Sequence, residues 1–291
     1  MTDQTHKPTS LPHQGSRIGV FDSGVGGLSI LIALRALMPA QPVLFVGDQA
    51  HVPYGPRPLK EVLSFSRAIT QFLLDQGAEV IVVACNAASA AALQPLRQIY
   101  PHIPFVGMEP AVKPAAEQTN SGVVGVLATP ATFQGALYAS VVERFAADVT
   151  ILQSTCLGLV QQIEAGNMQG AETRKILEEA LFPMMQAGLD TVVLGCTHYP
   201  FVIPLIQSIV GEGVRVINPA DAVARQTRRL LQQHATLASS TQPVSPLLFT
   251  TGSALHLQQL AQQLIQHPDP VTPLCWDSDS VVLSFCENRL S

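Results

Sequence analysis

The chain has 291 residues, of which 47% are hydrophobic and 13% are charged, and its formal net charge is −5. This composition excludes a disordered chain, and the length predicts two domains with substantial cores. Because no cluster of lysines and arginines stands out, nucleic acid is not an expected partner, and no apolar run reaches the roughly 18 residues of a membrane span.

The amino-terminal segment and the cysteines indicate the cellular setting. Residues 1–16 are polar, contain proline and lack the apolar core of a signal peptide, so we expect a disordered arm. The five cysteines are widely spaced and include no CxxC pair. A disulfide framework is therefore not expected, and the prediction is free thiols in a reducing cytoplasm.

Short β-branched segments alternate with helical patterns along the rest of the chain. The predicted strands cover residues 17–21, 42–46, 79–84, 104–107, 123–127, 148–152, 191–194 and 214–217. The predicted helices cover residues 59–76, 87–99, 130–145, 171–187, 220–233 and 253–266. Continuous rather than alternating apolar strands are typical of sheets that helices cover on both faces. The pattern predicts an α/β fold with largely parallel sheets.

A weak internal repeat divides the chain into two similar halves. The segment RIGVFDSG at residues 17–24 resembles VVGVLATP at residues 123–130, and residues 73–86 resemble residues 184–197. We therefore predict two similar, doubly wound domains related by a pseudo-twofold axis, with the active site in the cleft between them. The predicted domain limits are residues 17–107 together with 219–291 for the first domain, and residues 108–218 for the second.

Two cysteines lie at equivalent points of the repeat, each at the carboxyl end of a predicted strand. Cys85 follows VIVVA and precedes an alanine-rich helix, and Cys196 follows TVVLG. A helix N-terminus favours an anion, so the pKa of the Cys85 thiol is expected to fall below its usual value. One buried cysteine is more often a small apolar side chain, but two at matching positions favour a chemical role. The remaining cysteines have no partner in the repeat and are taken as structural or incidental: Cys156, Cys275 and Cys286.

His198 lies two residues after Cys196, where an imidazole can serve as a proton partner. The alternative is a histidine that caps the turn. With Cys85, this pair would also supply three ligands for zinc, but the paired motifs of structural zinc sites are missing, and we predict no metal. Two opposed thiols can instead remove a proton from one face of a carbon atom and deliver one to the other face.

Further polar residues follow other predicted strand ends. Asp22 begins the loop DSGVGG, whose glycines allow close approach of the backbone to a ligand, and the helix N-terminus after it attracts an anion. Asp22 itself is either a helper in proton transfer or a cap for the next helix. Tyr54 in VPYG either presents a phenol or belongs to a structural turn. Thr129 and Thr132 either bind a substrate or cap a helix.

Four segments, taken in this order, resemble the signature segments of the glutamate racemases, in the aspartate/glutamate racemase superfamily: IGVFDSGVGGLSIL, VPYG, ACNAASA and LGCTHYP. The resemblance covers most of the chain. It implies two similar α/β domains and the cofactor-independent interconversion of L- and D-glutamate, which supplies D-glutamate for bacterial peptidoglycan. It further implies a cytoplasmic enzyme whose partner is the small molecule glutamate, present as a homodimer or a monomer.

The resemblance also implies roles for the matching residues. Cys85 and Cys196 correspond to the two acid/base cysteines of the family. The supporting proton-handling residues are Asp22, His198 and Glu164. The positions implied to contact substrate are Ser23, Pro53, Tyr54, Gly55, Asn86, Ala87, Thr129, Thr132 and Thr197. No cofactor and no metal are implied.

Ala87 departs from the family pattern, which usually has a threonine that contacts substrate at this position. Loss of the hydroxyl removes a hydrogen bond that is worth about 1.5–3 kcal/mol when its partner is charged, whereas the backbone N–H stays. Ala87 therefore leaves open, beside glutamate racemisation, a racemase of aspartate or another amino acid. A separate alternative is a non-catalytic regulatory binding protein that retains the cleft, for instance one that contacts a DNA-handling enzyme.

Overall fold

A computed structural model describes residues 16–235, 237–277 and 281–286. The arm predicted for residues 1–16 lies outside the described residues, apart from Ser16. The strands are β1 (Arg17–Asp22), β2 (Val43–Gly47), β3 (Ala78–Val83), β4 (Phe105–Gly107), β5 (Val123–Ala128), β6 (Thr150–Ser154), β7 (Thr191–Gly195), β8 (Arg215–Ile217), β9 (Leu247–Thr250), β10 (Thr272–Asp277) and β11 (Val282–Phe285).

The helices are α1 (Leu28–Leu37), α2 (Leu59–Asp75), α3 (Asn86–Ile99), α4 (Val112–Gln118), α5 (Pro130–Gln134), α6 (Ala136–Phe145), α7 (Leu159–Glu164), α8 (Ala171–Gln186), α9 (Ile203–Val210), α10 (Ala220–His234) and α11 (Ala254–Ile265). Within the described ranges, none of these helices is long and apolar enough to cross a membrane.

The strands form two sheets that share the same internal order. A seven-stranded sheet runs β11-β10-β9-β2-β1-β3-β4, and a four-stranded sheet runs β6-β5-β7-β8. The paired strands are parallel except for β10 with β11. In each sheet the strand order changes direction once, between β1 and β3 in the larger sheet and between β5 and β7 in the smaller one. Ligands of open α/β sheets bind at the carboxyl ends of the strands beside such a point. The predicted α/β fold with two domains and largely parallel sheets is confirmed, whereas the exact domain limits stay a prediction.

The repeat in the sequence corresponds to a repeat in packing. A Cβ added at Gly19 of β1 would lie 3.1 Å from the Cβ of Leu73 in α2, and one added at Gly125 of β5 would lie 2.7 Å from the Sδ of Met184 in α8. Leu73 and Met184 occupy equivalent positions in the two halves. Each glycine therefore allows a helix to pack closely on the central strand of its sheet: α2 on β1 in the first half, and α8 on β5 in the second.

The helix predicted over residues 130–145 is two helices, α5 and α6, which meet at Gly135. Gly135 has extended backbone angles, φ −70° and ψ 135°. A Cβ at this position would lie 2.8 Å from the Cβ of Ala90 in α3. The close approach of α3 thus requires a residue without a side chain, and the extended backbone ends α5. The apolar pattern continues on both sides of the break, so the sequence pattern alone indicated one helix.

The tail of the chain continues the larger sheet and ends in an antiparallel hairpin. β9 pairs with β2, β10 with β9, and β11 with β10. A disulfide joins Cys275 of β10 to Cys286, just after β11, and their Cα atoms are 4.9 Å apart. The expectation of free thiols is therefore wrong for this pair, because the hairpin brings together cysteines that are 11 residues apart. The other three cysteines are free.

Candidate active site

Cys85 lies between β3 and α3 and is the N-cap residue of α3. Its Sγ accepts a hydrogen bond from the backbone N–H of Ala88 at 3.5 Å. The thiol is buried, however, and burial together with the carboxylate of Asp22 raises its pKa well above the usual value. The expected lowering of this pKa is therefore wrong, because loss of hydration opposes the anion more strongly than the helix N-terminus favours it. Cys85 is accordingly held as the protonated thiol.

Cys196 follows β7, at the equivalent point of the smaller sheet, and it is also buried. Its Sγ lies 3.8 Å from Nδ1 of His198. A 3-10 turn, Tyr199–Val202, comes next, and the side chain of His198 makes no capping hydrogen bond to it. The imidazole therefore faces the thiol instead of capping the turn.

His198 forms a buried pair with Glu164, the last residue of α7. Nε2 of His198 lies 2.6 Å from Oε1 of Glu164. Burial raises the pKa of Glu164, but hydrogen bonds from His198, Val25 and Gln49 outweigh this effect and hold the pKa below its usual value. Burial lowers the pKa of His198, but its contacts with Cys196 and Glu164 outweigh that effect and raise the pKa well above its usual value. An imidazolium–carboxylate pair therefore stands beside the Cys196 thiol.

Replacing Glu164 with glutamine is expected to lower the free energy of unfolding by about 3 kcal/mol, because it leaves a buried histidine without its charged partner. The contribution of His198 is complete below its ordinary pKa of 6.5 and is lost as the pH rises through the raised value. The contribution of Glu164 is complete above its ordinary pKa of 4.5 and is lost as the pH falls through the lowered value.

The stability difference between wild type and Glu164→Gln should therefore be largest between pH 4.5 and 6.5 and should shrink on both sides. Urea titrations followed by circular dichroism at a series of pH values measure it. A difference that stays constant across the pH range would contradict the ion pair.

The glycines of DSGVGG make room for side chains from the second half of the chain. A Cβ at Gly24 would lie 1.9 Å from Oε1 of Glu164, and one at Gly26 would lie 2.4 Å from Nδ1 of His198. The backbone N–H of Val25 donates to Oε1 of Glu164 at 2.7 Å. The anion that the sequence predicts at this loop is thus supplied by the protein's own carboxylate.

Asp22 ends β1 and lies between the two halves of the site. Its Oδ2 accepts hydrogen bonds from the backbone N–H of Gly27 at 2.6 Å and from Oγ1 of Thr197 at 3.3 Å. Burial raises the pKa of Asp22, while the charge of His198 opposes the rise. Asp22 and Cys85 also interact closely enough for each to shift the pKa of the other. Asp22 therefore both binds the backbone at the start of α1 and contacts the first thiol.

A small cavity of about 20 Å³ lies where the carboxyl ends of the two sheets meet. Its walls are formed by Ser23, Pro53, Tyr54, Gly55, Cys85, Asn86, Ala87, Thr129, Val160, Cys196, Thr197 and His198. Each sheet thus contributes one thiol to the same cavity. A space of this size holds about one water molecule, so an amino acid can enter only when the walls move apart.

Asn86 has unpaired polar atoms in this cavity wall. Asn86 is 3% exposed, yet among the described residues neither its Nδ2 nor its Oδ1 has a hydrogen-bond partner. An unpaired buried polar group costs about 1–3 kcal/mol. Both a donor and an acceptor are therefore free to bind a polar ligand at the start of α3.

Some residues that were predicted to contact substrate form hydrogen bonds or packing contacts with other residues of the protein. Tyr54 lines the cavity, but its hydroxyl donates to Oδ2 of Asp48 at 2.6 Å. Thr132 lies behind the cavity wall, and its hydroxyl is 3.1 Å from that of Thr129. The Thr129 side chain makes no capping hydrogen bond to α5, so the helix-cap alternative does not hold for it. A Cβ at Gly55 would lie 2.7 Å from the Cβ of Thr129, so the VPYG turn packs directly on the second half.

The sequence did not single out two residues that belong to the site. Val160 of α7 is a wall residue, but a valine in an amphipathic helix carries no signal beyond core packing. Gln49 follows β2 and donates from Nε2 to Oε2 of Glu164 at 3.1 Å. A polar residue just after a buried strand was a usable signal for Gln49.

No group of three or more His, Cys, Asp or Glu side chains in the described ranges is arranged to hold a metal ion. The zinc alternative built on Cys85, Cys196 and His198 therefore has no geometric support. The arrangement instead suits proton transfer, with one thiol beside a carboxylate and the other beside an imidazolium–carboxylate pair.

Two opposed thiols at the strand ends of a duplicated α/β fold are the features of an amino-acid racemase. In agreement, residues 29–227 match the family described as Asp/Glu/Hydantoin racemase. This match spans more than half of the chain, so the chain belongs to the Asp/Glu/hydantoin racemase family.

Curated relatives and solved structures place the chain among the glutamate racemases of that family. The glutamate racemase of Pseudomonas aeruginosa strain PAO1 is 46% identical over 261 residues, which cover 90% of this chain and 98% of that protein. The glutamate racemase of Pseudomonas paraeruginosa is 45% identical over 269 residues, which cover 92% and 97%. The resemblance carried by the four motifs is thus confirmed.

The fold is also similar to crystal structures of glutamate racemases. The glutamate racemase of Escherichia coli, solved in complex with L-glutamate and the activator UDP-MurNAc-Ala, has a TM-score of 0.79 and 31% identity, covering 89% of this chain and 98% of that one. A glutamate racemase isoform from Bacillus anthracis has a TM-score of 0.78 and 31% identity, covering 90% and 98%.

Proposed function

We propose that this protein interconverts L- and D-glutamate without a cofactor, using Cys85 and Cys196 as acid/base groups on opposite faces of the substrate. The D-glutamate would supply peptidoglycan synthesis in the cytoplasm, and the protein would act as a monomer or homodimer. The observation that carries the proposal is the pair of thiols, one from each sheet, on the walls of one cavity.

The reaction would consist of two proton transfers. In one direction, the Cys196 thiolate removes the α-proton, and the Cys85 thiol delivers its proton to the opposite face of the carbanion. The α-carbon inverts, and no electron is transferred. In the other direction the thiols exchange roles, so each turnover leaves the protons on the opposite cysteines and they must be returned.

Neighbouring groups would assist proton transfer at each thiol. Burial and Asp22 favour the thiol form of Cys85, which suits it as the acid, and Asp22 can accept its proton when roles change. On the other wall, Nδ1 of His198 lies 3.8 Å from Sγ of Cys196, close enough to exchange a proton with that thiol. Two thiols in unlike environments thereby provide one acid and one base.

The start of α3 would hold the substrate. Within the part of the chain that the structure describes, the amide of Asn86 has a free donor and a free acceptor, which match a carboxylate and an ammonium group. The backbone N–H groups of this helix end and the nearby hydroxyls of Ser23 and Thr129 can bind a carboxylate. Because the cavity is too small for an amino acid, binding would require the two halves to separate and close again around it.

Purified protein whose Cys85 and Cys196 are free thiols, mixed with L-glutamate in deuterated water, is expected to abolish the optical rotation and to place deuterium on the α-carbon. Polarimetry and proton NMR measure the two changes in one sample. Each inversion installs a solvent-derived proton on the product, so the two rates should match early in the reaction. Absence of both changes would overturn the proposal and leave a binding role.

The same assay with aspartate addresses the second candidate function. Ala87 lies on the cavity wall and lacks the hydroxyl that the family usually has there. If aspartate is turned over faster than glutamate, the substrate assignment is wrong while the two-thiol chemistry stands.

A further inference from the structure

Gln49 connects the tail of the chain to the proton-handling pair. It follows β2, and its Oε1 accepts a hydrogen bond from Oγ1 of Thr250 at 2.9 Å. Its Nε2 donates to Oε2 of Glu164 at 3.1 Å. The Gln49 amide therefore connects two groups. One is Thr250 of β9, the strand that pairs with β2, and the other is the Glu164 carboxylate that contacts His198.

The orientation of the Gln49 amide is fixed by its partners. Thr250 is fully buried, and its Oγ1 accepts a hydrogen bond from the backbone N–H of Gly252 at 3.0 Å, so its hydrogen is directed to Gln49. With Oε1 of Gln49 occupied in this way, Nε2 must face Glu164. Gly252 also packs tightly on this side chain, since a Cβ added there would lie 2.7 Å from the Cβ of Gln49.

The two oxygens of Glu164 have different partners. Oε1 accepts from the backbone N–H of Val25 and contacts Nε2 of His198. Among the described hydrogen bonds, Oε2 accepts from Gln49. The bond from Gln49 therefore resists rotation of the carboxylate about its last torsion and keeps Oε1 aimed at His198.

We propose that Gln49, held by Thr250, is a positioning residue that fixes the carboxylate of Glu164 and, through His198, controls proton transfer at Cys196. The hydrogen bonds run from Thr250 through Gln49, Glu164 and His198 to the Cys196 thiol. None of these hydrogen bonds reaches Cys85, so the effect falls mainly on the face of the substrate that Cys196 serves. This inference rests on the proposed two-thiol racemisation.

A one-sided effect has a kinetic signature in a racemase. L- and D-glutamate have equal free energies, so any variant must change kcat/KM by the same factor in both directions. If Gln49 acts on Cys196 alone, its loss makes the Cys196 proton transfer more rate-limiting and the Cys85 transfer less so. The primary isotope effect should therefore rise for the α-deuterated enantiomer that Cys196 deprotonates and fall for the other.

Gln49→Met, which keeps the length of the side chain but removes both polar atoms, is expected to lower kcat/KM roughly tenfold. With α-deuterated substrates, the isotope effect should rise for the enantiomer that Cys196 deprotonates and fall for the other. Ser23, on the other side of the cavity, lies 3.9 Å from the Cys85 thiol. In Ser23→Ala the isotope effect should therefore rise for the enantiomer that Cys85 deprotonates and fall for the other. Gln71→Met, an exposed glutamine on α2 that donates to Asp75, is the matched control and should leave rate and isotope effects unchanged.

Thr250→Val should change kcat/KM and the two isotope effects in the same sense as Gln49→Met but by less. Thr250→Ser keeps the hydroxyl and should give values near those of wild type. Folding is checked by circular dichroism, and a partly unfolded sample lowers the rate without changing either isotope effect. Isotope effects in Gln49→Met equal to those of wild type would overturn the positioning role. Absence of racemisation in wild type would instead overturn the proposed function, so the two failures are distinct.

Discussion

Replacing Cys85 or Cys196 with alanine is expected to slow the interconversion of L- and D-glutamate by about 10²–10⁴-fold. In the proposed mechanism each thiol serves one face of the α-carbon, so the remaining thiol does not replace the one that is lost. The measurement is the initial rate of racemisation from each enantiomer, followed by polarimetry. In each variant the rate should fall equally from L- and from D-glutamate, because each turnover of the proposed mechanism uses both thiols in either direction.

Cys156→Ala is the matched control for this prediction. Cys156 is also a free, buried cysteine, and burial raises the pKa of its thiol to about 12, but it does not line the cavity. Its replacement should leave the racemisation rate within a few-fold of wild type, at a cost in stability typical of a buried large-to-small change. A racemisation rate within a few-fold of wild type in Cys85→Ala or Cys196→Ala would contradict the two-thiol mechanism.

The features that the sequence predicted depend on local pattern and repetition. Continuous β-branched runs located the central strands, and the resemblance of residues 17–24 to 123–130 indicated two similar halves. The position of a residue at the carboxyl end of a parallel strand is also local information. For this reason the sequence alone predicts that Cys85 and Cys196 lie at one site.

Other features depend on contacts between distant segments, which a local pattern does not contain. The pKa of Cys85 is set by burial and by Asp22 on another strand, so the helix N-terminus alone predicted the wrong direction. The disulfide between Cys275 and Cys286 depends on a hairpin. The break at Gly135 results from the approach of α3.

Replacing Gly26 with alanine is expected to lower racemase activity by about 10²-fold and stability by about 1–3 kcal/mol. A Cβ at this position would lie 2.4 Å from Nδ1 of His198, 2.6 Å from Oγ1 of Thr197 and 2.7 Å from Oδ2 of Asp22. These three groups are buried and cannot all move aside. The methyl group must therefore push His198 away from Cys196 or move the loop away from Asp22.

Gly213→Ala is the control, because a Cβ there lies more than 4 Å from every neighbouring group that the structure describes, and the residue has no positive φ. It should keep full activity and stability, which shows that the cost at Gly26 comes from space and not from the loss of a glycine. Steady-state kinetics and urea unfolding measure both variants. Wild-type activity in Gly26→Ala would mean that the chemistry tolerates displacement of His198 and Asp22, and their proposed roles in proton transfer would then be wrong. If activity falls with unchanged stability, the loop has moved to accommodate the methyl group, and the loss measures how closely the two halves of the chain must meet for the reaction to proceed.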